Sequence, residues 1–460
     1  MKSLTPIAVI LGSLVLATGC TTTLNRNTHG PGLVSPEKPL LPNSRPMATV
    51  KTKAPGGVIT LKDALQAALE RHPGLTAAWH EIKAREGASK QAGLLPNPSL
   101  SGEIEEFGGS GDFSGTDTMI STVGISQEIP LGGQISKRVK AAEAQTDIAV
   151  LERAAQTLAL GTAVRKRFLR VYMLQEQLKL ERESLKLVLA SSDAVAKRVA
   201  SGEASPLDEA KVAVELASSG IAVERTEREL DAAKYGLAAS WAGDTPEFSA
   251  VRADSPTVTE LPPENELLEL LASNPIYRIL EKKVAQSSAF LDLAQAEAWM
   301  GIEIGGGIQQ FNETDDHAYF LEVSIPIPLF DRNQGRIQEA RQMRDKAAKE
   351  REVGLLELKT TLIETARRLS SAQDAFFTMQ NTVMPAAEKA FVSVRKAYQA
   401  GEQGYLELVE AQRTLLETRR ERLELLAEFQ GLRAELDGLT AETLRKDGIM
   451  GNNTLENKEL

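Results

Sequence analysis

Gly202-Glu203-Ala204-Ser205-Pro206-Leu207-Asp208 returns as Gly401-Glu402-Gln403-Gly404-Tyr405-Leu406-Glu407, an offset of 199 residues. In each copy a glycine closes a long run of helical periodicity, the position a helix C-terminus favours. Working outward, Ile129-Pro130-Leu131 returns as Ile327-Pro328-Leu329 at an offset of 198, and His72-Pro73 returns as Asn274-Pro275 at 202. Three landmarks agreeing on one spacing to within a few residues predict a duplicated unit. The period is too long for a solenoid repeat, so each copy is one large supersecondary unit. Two such copies sit side by side around an axis.

Both copies read in the same order. Leu61, Ala64, Leu65, Ala68 and Leu69 carry a helical period that His72-Pro73 interrupts. A second helix runs from Leu75 to Gly93, and Pro96-Asn97-Pro98 ends helical structure. The pattern then alternates. Leu100, Gly102 and Ile104 share one face, with Ser101, Glu103 and Glu105 on the other. After a polar turn at 108–117, Met119, Val123, Ile125 and Ile129 alternate with Thr122, Ser126 and Glu128, which makes 98–130 a β-hairpin. In the second copy, at 300–328, Ile302, Ile304 and Ile308 oppose Glu303, Gly305 and Gln309. Past the turn at Asn312–Asp316, Tyr319, Leu321, Val323 and Ile325 oppose Phe320, Glu322 and Ser324. The expectation is four strands and no more. Their length and two-faced pattern suit a transmembrane β-barrel. Four strands cannot close a barrel, and an open edge cannot sit in lipid. Closure therefore requires several chains, and three would supply twelve strands.

A very long helix follows each hairpin, Gln134 to Ala200 and Gln334 to Ala400, and shorter helices return over Leu207 to Leu237 and Leu406 to Leu436. At 1.5 Å per residue each long helix extends roughly 100 Å, so it must pack along its length in coiled-coil fashion. Leu158, Val164, Phe168, Val171, Leu174 and Leu178 mark the packed stripe of the first. Leu355, Leu362, Ala366, Leu369, Phe376 and Val383 mark that of the second, with a kink expected at Pro385. The fold class is thus mainly α with a small β part. A first repeat spans 59–238 (helical hairpin 134–237), a linker 239–264, a second repeat 265–437 (helical hairpin 334–436) and a polar tail 438–460.

The chain has 460 residues, 5% aromatics and a net charge of −10, a balance that excludes nucleic acid as a partner. Lys2 precedes an apolar run, Ile7 to Ala17, too short to span a bilayer. The run ends in Leu16-Ala17-Thr18-Gly19-Cys20, and Cys20 is the chain's one cysteine. This resembles a bacterial lipoprotein signal over 1–19, which implies lipid on Cys20 and an extended tether over 20–58. Thr21 in the next position favours sorting to the outer membrane. One cysteine leaves no intrachain disulfide. His29, His72, His80 and His317 are scattered without zinc-like spacing, so no metal site is expected. Asp315-Asp316-His317 reads as a polar turn, and Gly305-Gly306-Gly307 lies in a strand with no helix after it, which makes it a poor phosphate loop. No nucleophile–base constellation is present. The chain is expected to be no enzyme, with no cofactor beyond the covalent lipid.

Tyr398-Gln399-Ala400-Gly401, Leu406-Glu407-Leu408-Val409-Glu410-Ala411-Gln412 and the upstream Pro385-Ala386-Ala387-Glu388 carry a family resemblance. With the landmarks above they resemble the TolC-type outer-membrane factors of Gram-negative efflux pumps, from Gly57 to Leu436. Ile325-Pro326-Ile327-Pro328-Leu329-Phe330-Asp331-Arg332-Asn333-Gln334-Gly335-Arg336 is similar to the heavy-metal branch, the cobalt–zinc–cadmium (CzcC-like) outer-membrane lipoproteins. Gln127-Glu128-Ile129-Pro130-Leu131-Gly132-Gly133 is its counterpart in the first copy.

The resemblance implies a homotrimer with a 12-stranded barrel in the outer membrane and an α-helical tunnel in the periplasm. It implies a periplasmic adaptor and an inner-membrane RND pump as partners, and passive export of heavy-metal cations. It also implies roles for particular residues. Val199, Gly202 and Leu207, with Tyr398, Gly401 and Leu406, form tips where the adaptor docks. Glu407 and Glu410 share a helix face and line the tunnel entrance, where three copies make acidic rings that attract cations. Asp208 and Lys211 hold the matching places in the first copy, so the acid pair is not duplicated. Glu103, Glu105, Glu128, Glu303 and Glu322 fall on the polar strand face and give the barrel an acidic lumen. A channel for drugs or other organic solutes is the alternative within this fold. A lipid-anchored periplasmic adaptor is a further alternative, disfavoured by two helical hairpins and only four strands.

Overall fold

The structure, a computed structural model, describes residues 54–203, 205–253 and 262–441. The leader, Cys20, most of the tether and most of the C-terminal tail lie outside the described residues.

Two short helices, α1 (Leu61–Arg71) and α2 (Pro73–Ala92), lead into strands β2 (Ser99–Glu105) and β3 (Ile120–Ile129). Helix α3 (Gln134–Ala200) then runs unbroken for 67 residues, and α4 (Pro206–Ala238) returns beside it. The second copy repeats this with α5 (Glu264–Leu271), α6 (Pro275–Ala296), β5 (Ile302–Phe311), β6 (Asp316–Ser324), α7 (Gln334–Thr378), α8 (Met384–Gln399) and α9 (Tyr405–Leu439). The repeated landmarks have physical causes. His72 Nδ1 accepts from Gly74 N at 3.1 Å, and Asn274 Oδ1 accepts from Ile276 N at 2.7 Å. Each is a side-chain N-cap followed by proline in the first helical position, where its missing N–H costs nothing.

The two helical turns are also built alike. Glu203 N donates to Arg198 O at 2.8 Å and Gly202 N to Val199 O at 3.1 Å; Glu402 N donates to Ala397 O at 2.9 Å and Gly401 N to Tyr398 O at 3.1 Å. Gly202 and Gly401 have φ of 77° and 79°. This is a Schellman closure, whose left-handed residue is glycine because it has no Cβ to clash.

The main sheet has the order β2-β3-β5-β6, antiparallel throughout, so the two hairpins join side by side through β3 and β5. Its outer edges are β2 and β6. Contrary to the expectation of four strands and no more, two further short strands pair in parallel, β1 (Gly57–Ile59) and β4 (Phe248–Val251). They take residues from stretches read as tether and linker. Three or four residues are too few to show a period of two. They are held by packing, since Ile59, Phe248 and Val251 join the buried cluster of Val164, Phe168, Val171 and Trp241. Gln175 also bonds both backbone groups of Val251, at 2.8 and 2.9 Å.

A second cluster joins Leu267 and Leu271 of α5 to Leu362 and Leu369 of α7 and to Phe429, Leu432 and Leu436 of α9. A third, with Met173 of α3, Phe376 of α7 and Leu423 and Leu426 of α9, ties the copies together. In the first copy every residue named for the packed stripe is buried. In the second, Val383 is exposed, a departure with a local cause. The helix is irregular before Pro385, where Met379–Val383 forms a π turn. Proline lacks the N–H that a regular helix would donate and its ring crowds the turn before it. The wide turn absorbs one extra residue, which rotates the remainder of the helix by about 100° and carries Val383 off the packed stripe.

Candidate functional site

The chain presents two surfaces of functional interest, the faces of the four-stranded sheet and the two helical turns. Opposed residues in an antiparallel pair point to the same side. Glu103 opposes Thr122, Thr122 opposes Gln309, Glu128 opposes Glu303, and Gly305 opposes Glu322. Following the alternation, Glu103, Glu105, Glu128, Glu303 and Glu322 all lie on one face. The opposite face carries Leu100, Ile104, Val123, Ile125, Ile304, Ile308, Tyr319, Leu321 and Val323, every one of them exposed. The glutamates are exposed as well, and a sheet apolar on one face and acidic on the other is the pattern of a β-barrel wall with one side to lipid and one to the lumen. On the acidic face Ser126 Oγ donates to Glu303 Oε1 at 2.6 Å.

Phe320 also lies on that face, across Gly124 and Gly307. A Cβ on Gly307 would stand 2.8 Å from Phe320 Cε1 and 2.1 Å from Val123 O. The glycine run is therefore a close-packing device in the centre of the sheet.

At the other end, Leu207 and Leu406 are 61% and 59% exposed, matching across the repeat, while Val199 and Tyr398 are half-buried. Arg198, which no motif or spacing singles out, joins the two turns. Its guanidinium donates to the Tyr398 hydroxyl at 3.2 Å, its Cζ lies 5.7 Å from the ring centroid, and Glu203 stands 3.9 Å away. Higher up, Arg420 of α9 grips Glu181 of α3 with two hydrogen bonds of 2.9 and 2.8 Å, and Glu181 is only 3% exposed. Neither pair leaves a local sequence signal.

Glu407 and Glu410 are both exposed in the first turns of α9. The Glu407 carboxylate folds back over the helix start, where Oε2 would lie 2.6 Å from a Cβ on Gly404. That position favours the carboxylate through the helix dipole. The corresponding Asp208 has Lys211 at 3.9 Å, so its charge is offset. Among the described residues no group of three or more His, Cys, Asp or Glu side chains gathers as a metal site, and no helix is long and apolar enough to cross a membrane.

Comparison with known proteins agrees with this geometry. The model of the outer membrane efflux protein family matches residues 64–243 and 269–442, two blocks that part at the inter-repeat segment. The chain belongs to the outer membrane efflux protein family. As an outer membrane efflux protein it is a transport component and not an enzyme. It is 29% identical over 345 residues to the cobalt-zinc-cadmium resistance protein CzcC of Cupriavidus metallidurans, covering 75% of this chain and 81% of that one. The efflux protein shares its fold with a membrane protein from Pseudomonas aeruginosa (TM-score 0.71, 17% identity, 83% and 90% of the chains covered). It shares it equally with CusC, whose structures concern folding and transmembrane channel formation (TM-score 0.70, 18% identity, 88% and 99% covered).

Proposed function

We propose that this outer membrane efflux protein is the exit channel of a tripartite, RND-type pump and that its cargo is heavy-metal cations. The observation that carries the reading is the single acidic sheet face. Five carboxylates share a side, and Glu128 stands directly opposite Glu303 across the β3–β5 junction. Three copies joined edge to edge, β6 of one to β2 of the next, would close twelve strands and leave no unpaired edge in lipid. The acids would then line the lumen, where fixed negative charge concentrates cations and repels anions. Likeness to a cobalt-zinc-cadmium resistance protein supports the same cargo.

The rest of the assembly follows from the two ends. Lipid on Cys20 anchors the chain at the outer membrane, and the long helices form a tunnel in the periplasm. The turns at Gly202 and Gly401, with Val199, Leu207, Tyr398 and Leu406, receive the hairpin of a periplasmic adaptor. Glu407 and Glu410 form acidic rings at the entrance. Conduction is passive and needs weak sites that release, which suits single carboxylates better than a coordinating cluster.

The test is metal tolerance in a host deleted for this chain, with cobalt, zinc, cadmium, nickel and copper beside a panel of dyes and antibiotics. Sensitivity to metals with unchanged drug tolerance is expected. Sensitivity to drugs alone would keep the channel and replace the cargo with organic solutes.

A further inference from the structure

Beyond the sheet, Ile325-Pro326-Ile327-Pro328-Leu329-Phe330 leaves β6 at the end where the helices begin, and its apolar side chains lie uncovered by the described residues of the chain. Ile327 is 77% exposed and Phe330 89% exposed, with Ile325 and Leu329 exposed as well. The first-copy counterpart is half as bare. Leu131 is 37% exposed, and Trp299 packs on the neighbouring Gly132, where a Cβ would come within 2.8 Å of it. We propose that Ile325–Phe330, with the basic band at the start of the long helices, is a phospholipid-binding collar that seats the protein in the inner surface of the outer membrane.

Three observations select lipid over a protein partner. First, the segment continues the apolar register of β6, so it extends a face whose odd-numbered residues Tyr319, Leu321 and Val323 are already exposed. Second, part of its backbone is satisfied locally. Pro326 and Pro328 have no N–H to leave unpaired, Leu329 N donates to Ile327 O at 2.9 Å, and Gln334 Nε2 donates to Phe330 O at 3.1 Å. Third, the charges below it complement an anionic headgroup layer. Arg138 and Lys140 stand near the start of α3 and Arg332 just before α7, and neither helix has an acid in its first turn, while Lys137 and Arg336 of the same band pair within the chain with Asp292 and Glu297 at 2.7 and 3.9 Å. Cations at a helix N-terminus oppose the helix dipole. Arg138, Lys140 and Arg332 suit an external anionic surface, with apolar groups above and basic groups below the interface. The inference rests on outer-membrane residence and is independent of the cargo.

The test places a photo-crosslinking amino acid at Ile327 or Phe330 of the full chain, with Glu322 as the control, in vesicles of phosphatidylethanolamine and phosphatidylglycerol. Irradiation should give phospholipid adducts at 327 and 330 and none at 322. Phosphatidylglycerol should be enriched several-fold in those adducts, and Arg138→Gln with Lys140→Gln should abolish that enrichment. Crosslinks to a second copy, to residues of the chain's own N-terminal segment or to a soluble protein in place of lipid adducts would overturn the proposal. So would the absence of any adduct, or equal labelling of the two lipids.

Discussion

The side chains of Arg198 and Tyr398 meet across the two helical turns, joining residues 200 positions apart by a hydrogen bond of 3.2 Å and a guanidinium–ring approach of 5.7 Å. Arg198 belongs to the first copy and Tyr398 to the second, so the pair holds the two tips of one chain in fixed register. Tyr398→Phe removes the hydrogen bond and keeps the ring. Tyr398→Ala removes both. An exposed cation–π contact contributes about 0.5–1 kcal/mol and a hydrogen bond to a charged group about 1.5 kcal/mol. Cleavage of the turns by added protease follows local opening. It should therefore be fastest in Tyr398→Ala, intermediate in Tyr398→Phe and slowest in the parent, with a total span of roughly 30- to 70-fold at the full value of both contributions. Equal rates would show that the pair does not hold the tips.

Glu181 and Arg420 predict an asymmetry. Glu181 is buried, whereas the Arg420 side chain is 42% exposed. The glutamate forms part of a groove between α3, α4 and α9. Arg420→Met strands a buried carboxylate, which costs roughly 3–5 kcal/mol. Glu181→Leu leaves an arginine that can reach water and should cost clearly less. The double variant Glu181→Leu/Arg420→Met should recover most of the loss, because replacing a whole buried pair by apolar groups is close to neutral. Thermal unfolding of the three variants checks the order. Equal losses for the two single variants would contradict it.

Gly307→Ala forces a Cβ to within 2.1 Å of the Val123 carbonyl oxygen, a backbone atom that cannot swing aside. Gly335→Ala, in the first turn of α7, meets nothing within 4 Å. The first should sharply lower the yield of folded protein in the outer membrane. The second should leave it unchanged or raise stability by about 0.5–1 kcal/mol. Recovery of heat-modifiable protein from outer-membrane fractions compares them directly.

The first helix carries a pH signature. Asp63 accepts from the Thr60 backbone N–H at 2.8 Å and from its hydroxyl at 2.7 Å, and these bonds hold its carboxyl below the ordinary carboxylate value. A depressed value means that the contribution is fully present above the unfolded pKa and is lost as pH falls through the folded one. Asp63→Asn should cost about 1 kcal/mol near neutrality, the usual scale of a capping interaction. The gap between variant and parent should close in strong acid. A gap that widened on acidification would reverse the sign.

Local rules encode the features that the residues made legible. The glycine at each turn, the capped His72-Pro73 and Asn274-Pro275 and the period-two faces all act within a few residues, so they can be read along the chain. That includes the shared side of Glu103, Glu128, Glu303 and Glu322. Strands β1 and β4 escaped because 57–59 and 248–251 are ordered by the core they touch and not by their own pattern. The π turn escaped because Pro385 announces a disturbance without saying on which side the helix will absorb it. Arg198–Tyr398 and Glu181–Arg420 escaped because both depend on how long helices pack laterally between copies, which no single-helix periodicity specifies.

The difference between the copies at the helix starts gives the most direct test of charge at the entrance. Glu407 and Glu410 lie exposed at the start of α9, while Asp208 at the matching place has Lys211 within 3.9 Å. If the acids face the conducting path, Glu407→Gln with Glu410→Gln removes fixed negative charge from it. Asp208→Asn removes charge that already has a counterion. In planar bilayers under a salt gradient, the reversal potential of the double variant should move toward that of an unselective pore. Asp208→Asn should stay close to the parent. The shift should shrink as salt rises from 0.1 M to 1 M, where the screening length falls from about 10 Å to about 3 Å. A shift of equal size at both salt concentrations would point to a change in helix structure and not to charge, because glutamine at 407 also weakens the carboxylate–dipole interaction at the start of α9.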